Sequence, residues 1–192
     1  MSISKLKKAF FGDAQPSLLR AIITLLVYLT FGLAIYGYMA DFIPSESWST
    51  NSLFLSVGVT VTFVSIHYYL LFTGFAKLYD TTSKIATALH LILYPFLVFS
   101  FLWVAISHGI ADLVTQSVGS NQQVVLELTK GEVTRKKTCT YRLVGESLKN
   151  ALPDHVCIRK TDYDALPEKG FVALIGQQTS LGFHVERVSP HP

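Results

Sequence analysis

Apolar positions run unbroken through three stretches in the first half of the chain and alternate with polar ones in the second half. Residues 21–40, 52–75 and 85–111 contain no Asp, Glu, Lys or Arg. At a rise of about 1.5 Å per residue, each predicted helix is long enough to cross the ~30 Å hydrocarbon layer of a bilayer. The first run is too long for the apolar part of a cleaved signal peptide. Bulky Tyr36, Tyr38 and Met39 stand where small residues would be needed for cleavage, so it reads as a retained helix. Pro95 falls inside the third run, where loss of a backbone donor predicts a kink.

From residue 121 the period changes from helical to two. Val124, Leu126 and Leu128 alternate with Val125, Glu127 and Thr129, and Lys130-Gly131 supplies a turn. Further strands are predicted at 133–143, 155–160 and 171–175. A last one is marked by Leu181, Phe183 and Val185, and a helical turn is expected at 147–151. Residues 42–51 read as a loop, and Ser117-Val118-Gly119-Ser120 as a hinge into the tail. The expected architecture is a membrane α-helical unit of three transmembrane helices plus a small C-terminal all-β or β-rich extracytoplasmic domain. Its parts are an N-terminal cytoplasmic segment (1–17), the helical unit (18–117) and a curled sheet or small barrel (121–192). The period-two segments carry their own apolar face, so the tail is expected to fold on its own.

Composition agrees with a membrane protein: 50% of the 192 residues are hydrophobic and only 15% charged, against roughly 25% charged in soluble domains. The net charge of +3 is small, and basic and acidic residues nearly balance in the tail, which disfavours nucleic acid as a partner. The placement of charge is more informative. Lys5, Lys7, Lys8 and Arg20 precede the first run, and Lys77 and Lys84 lie between the second and third. The connection between the first two runs holds Asp41 and Glu46 with no Lys or Arg. Short-loop Lys and Arg mark the cytoplasmic side, so the N-terminus is expected inside and the tail outside. In a bacterium that means the inner membrane, with the tail in the periplasm.

Cys139 and Cys157 are the only cysteines, and both fall in the exported tail. An oxidising compartment predicts a disulfide between them, and a domain this small gains from a closed loop. Without a clustered His, two cysteines make a poor zinc site. His67 and His90 lie about 12 and 8 Å from the cytoplasmic ends of their helices, hence at similar depth. They are the candidate pair for haem b or another metal, against the simpler reading of polar residues near an interface. Trp48 fits an interfacial anchor. Arg135-Lys136-Lys137 is a solvated strand edge or a contact for lipid head groups or an acidic partner.

No G-x-S-x-G elbow, P-loop, H-E-x-x-H or dinucleotide fingerprint occurs, and Ser180 with His184 is weak support for a catalytic pair. The functional expectation is therefore non-enzymatic and cofactor-free. It is a protein in contact with the lipid bilayer whose β domain binds a protein partner or an envelope component in an assembly, accessory, sensor or immunity role, with a homo-oligomer allowed. The alternatives are a redox subunit with haem on His67 and His90, and an oligomeric transporter or channel component. The helix centres carry no charge, which argues against a transport path.

Overall fold

The computed structural model describes residues 18–73, 84–132 and 139–190. The N-terminal segment and the Arg135-Lys136-Lys137 run lie outside the described residues. Three helices are long and apolar enough to span a membrane, and an antiparallel β half-barrel follows them.

Helix α1 runs from Leu18–Met39, close to the expected 21–40. A three-residue strand, β1 (Phe42–Pro44), comes next, and α2 (Glu46–Phe72) starts at once after it. The stretch read as a loop is thus a strand and a helix start. Ser45 caps α2 by accepting the Trp48 N–H at 3.2 Å, and Glu46 sits in the first turn, where the helix dipole favours an acid. A period of two cannot be seen in three residues.

Helix α3 (Lys84–Val104) passes through Pro95. It continues through a π-helical segment (Ala105–Ile110) into α4 (Ala111–Val118). The charge-free run stops at 111 and the helical pattern is expected to continue past Asp112 to about Thr115; the helix ends at Val118. Its apolar span, Thr87–Val118, has 32 residues, roughly 48 Å, which exceeds a ~30 Å hydrocarbon layer. The surplus length carries Asp112, Thr115 and Gln116 up against the sheet. In the π segment the backbones of α1 and the third helix approach closely. A Cβ at Gly37 would lie 2.5 Å from the Gly109 nitrogen, so both glycines are needed for this crossing. On α2 the inward stripe is Ser52, Ser56, Thr60 and Val64, spaced by four residues.

At the junction expected as a hinge, Gly119 ends α4 and β2 (Ser120–Glu132) begins with the next residue. β3 (Tyr141–Val144), a 3₁₀ turn (Glu146–Leu148), β4 (His155–Cys157) and a short helix α5 (Lys160–Ala165) follow. β5 (Lys169–Gln178) and β6 (Gly182–Pro190) complete the fold. The strand expected at 133–143 is described only as β3, and its first part lies outside the described residues. The segment expected as a strand at 155–160 is cut short by α5, whose KTDYDA sequence has no apolar period to announce it.

The sheet has six antiparallel strands in the order β1-β6-β5-β2-β3-β4. Five come from the tail as expected, and the sixth, β1, comes from between the first two helices. Its core is Leu128, Leu143, Leu148, Val156, Leu166, Val172, Leu174, Phe183 and Val185, with Ile43 of β1 packed beside it. The edge strands β1 and β4 curl toward each other, and Asp41, just before β1, lines one pocket together with Cys157 of β4. The Cys139–Cys157 disulfide sits at this seam, with Cα atoms 5.6 Å apart.

Candidate functional site

Asp112 is fully buried, yet both of its oxygens are satisfied. His184 Nδ1 lies 2.7 Å from Oδ1. The Tyr36 hydroxyl donates to Oδ2 at 2.5 Å and Gln116 Nε2 donates to the same oxygen at 2.7 Å. Gln116 also donates to the Tyr36 oxygen at 2.7 Å. The four side chains come from α1, α4 and β6, so this network joins the helices to the sheet. A buried carboxylate is tolerable only when so many donors replace its water.

Local structure places each member. Asp112, Thr115 and Gln116 are three and four residues apart and share one face of α4. Thr115 and Thr179 hydroxyls meet at 2.7 Å, adding a second tie to the β5–β6 turn. His184 is aimed by a register shift between Ile175 and Gly176, where any side chain at Gly176 would collide with the His184 carbonyl. β1 holds the same strand from the other side, with Phe42 opposite His184. Val185 N–H donates to the Asp41 carbonyl at 2.9 Å.

A pocket of about 260 Å³ opens beside this network, lined by Tyr36, Met39, Asp41, Asp112, His184 and Val185 among others. Its electrostatics are tense. The hydrogen bond to Asp112 raises the His184 pKa above its ordinary 6.5 despite the opposing effect of burial. Burial raises the Asp41 pKa, offset in part by the Cys157 N–H and by the nearby histidines. With Nδ1 turned to Asp112, the His184 ring holds a fixed orientation, the arrangement that lets an imidazole gain and lose a proton at Nε2.

The other candidates fall elsewhere. His67 and His90 do meet, with Nε2 atoms 3.4 Å apart. The Tyr94 ring lies against both, at 4.5 and 5.0 Å between centroids. Tyr68 donates its hydroxyl to the Leu91 carbonyl. The two rings stand at hydrogen-bonding distance, with donor and acceptor set by the tautomer. Trp48 is half-buried in the first turn of α2 and donates Nε1 to the Ser107 carbonyl at 3.3 Å, a helix-to-helix contact in addition to any interfacial role. His108 is buried at the junction, between Ser107 Oγ at 2.6 Å and the Asn150 carbonyl at 3.3 Å. Ser180 gives its carbonyl to Ser45 and no bond to His184 is seen, so the pair is not assembled.

Sequence reasoning singled out neither Asp112 nor Asp41 as a site residue and weighed His184 only with Ser180. One signal was present. Asp112 is the lone acid between Ala111 and Leu113-Val114 on a helical pattern, a position that asks for a partner. Comparison with protein-family models, with curated proteins and with solved structures gives no match to this chain.

Proposed function

We propose that this chain is a non-enzymatic integral protein of a bacterial inner membrane that fixes a small β domain on the periplasmic side, where the domain binds a protein partner. The positive-inside bias supports the orientation. The observation that carries the binding reading is the sheet face opposite the core. There Phe171 is 61% exposed, with Val125 and Ile175 at 39% and 37%. Val125 pairs with Ala173, which lies between Phe171 and Ile175 on β5, so the three share one face, with Glu127 and Gln123 opposite Phe171 and Ile175 at its rim. A buried face already serves this domain's own core, and an exposed Phe flanked by two aliphatics marks a surface for another protein.

The patch belongs to a domain that cannot swing freely. β1, the Asp112 network and the Thr115–Thr179 pair hold it on the helices, which suits an assembly, accessory or sensor role at the membrane surface. A photo-crosslinking amino acid in place of Phe171 should give one discrete protein adduct in native membranes. The Phe171→Glu variant, folded as judged by thermal melting, should lose the partner on co-purification. A position-171 probe that yields only uncrosslinked chain would overturn this reading.

A further inference from the structure

We propose that Cys139, His155 and Cys157 form a redox-gated zinc site, closed by the disulfide and opened by a dithiol reductant. The three residues supply ligand atoms that all lie within 4.8 Å of one another. β4 places two of them, His155 and Cys157, with only Val156 between, and Cys139 lies just before β3, the strand paired to β4. A tetrahedral zinc with bonds of about 2.0–2.1 Å to nitrogen and 2.3 Å to sulfur needs ligand atoms roughly 3.5–4 Å apart. The ligand atoms therefore need only small side-chain rotations, and a Cα separation of 5.6 Å lets the two sulfurs part without moving the strands.

A second observation is independent of the cysteines. His155 Nδ1 is buried and makes no hydrogen bond. The nearest carboxylate oxygen, on Asp154, is 3.7 Å away, too far for one. A buried imidazole nitrogen without a partner is rare in a folded protein and calls for a cause. With no hydrogen-bond partner in the disulfide form, that nitrogen is left available to a metal once the cystine is opened. Cys157 is exposed, while Cys139 and His155 are half-buried, so reductant and metal both reach the site.

The chemistry balances through exchange. A dithiol reductase attacks the cystine, passes two electrons and two protons to the pair, and leaves as its own disulfide. Zinc then replaces the two thiol protons and takes the His155 nitrogen as third ligand. A water fills the fourth position, the arrangement of an open zinc site. Oxidation reverses the sequence and expels the metal.

The test uses the full chain in detergent, treated with a dithiol under anaerobic conditions and titrated with Zn²⁺ against a chromophoric chelator. The reduced protein should bind one zinc per chain and the oxidised protein none. His155→Asn should weaken binding at least tenfold, and Co²⁺ in place of zinc should show a thiolate charge-transfer band. If reduction loosens the β domain, zinc should restore its near-ultraviolet circular dichroism. Sub-stoichiometric zinc on the reduced chain, affinity unchanged by His155→Asn, or a loosened domain that zinc does not restore would each overturn the proposal.

Discussion

Replacing Asp112 with alanine should cost about 3–5 kcal/mol of stability, the usual penalty for removing one partner of a buried charged pair. Three donors lose their acceptor together: the His184 ring, the Tyr36 hydroxyl and Gln116 Nε2. Because these side chains tie α1 and α4 to β6, the loss should appear as earlier thermal release of the β domain. Asp112→Ala and His184→Ala should also be non-additive, since each alone strands what the other leaves. The pH dependence has a defined sign. The folded state raises the His184 pKa, so its stabilising share is complete below about 6.5 and is lost as pH rises through the elevated folded value. Asp41, also raised, pushes in the same direction at lower pH. Thermal melts should therefore show the β domain least stable on the alkaline side, and His184→Ala should flatten the part of that slope near neutrality.

Phe42→Ala should cost about 3–5 kcal/mol, the range for emptying a buried aromatic site. Phe42 is 1% exposed although it belongs to a three-residue strand between two long helices. Its ring meets His108 edge-on at 6.5 Å, and it fills the space beside Gly182. Removing it opens a void between the π-helical segment and β6 and weakens the strand that the helical unit lends to the sheet. Amide exchange at 182–185 should rise with the loss of stability. Phe171→Ala, on an exposed position, should change the melting temperature little and serves as the control.

What could be read from the sequence was what lies close along the chain. Charge-free runs announced three helices, and alternation at Val124, Leu126 and Leu128 announced β2 with its inward face. Counting rise from the helix ends put His67 and His90 at one level, and they are in contact. The cysteine pairing followed from there being two of them in one domain. Contacts that depend on register and docking were not legible. Asp112 and His184 are 72 residues apart, and no local pattern links them. His155 comes beside the cystine only because β3 and β4 pair as they do. β1 is too short to show a period, and the length of the third helix is meaningful only once its end is seen to hold the sheet.

The central claim is that the helices cross a membrane and hold the β domain outside the cytoplasm. A thiol at Thr161, an exposed residue on α5, reports this directly because both native cysteines are paired. Intact cells carrying Thr161→Cys would be treated with a membrane-impermeant maleimide, beside cells carrying Ser4→Cys. The account predicts that position 161 labels without permeabilisation and position 4 only after it. Labelling of position 161 only after permeabilisation, with position 4 reactive in intact cells, would contradict it.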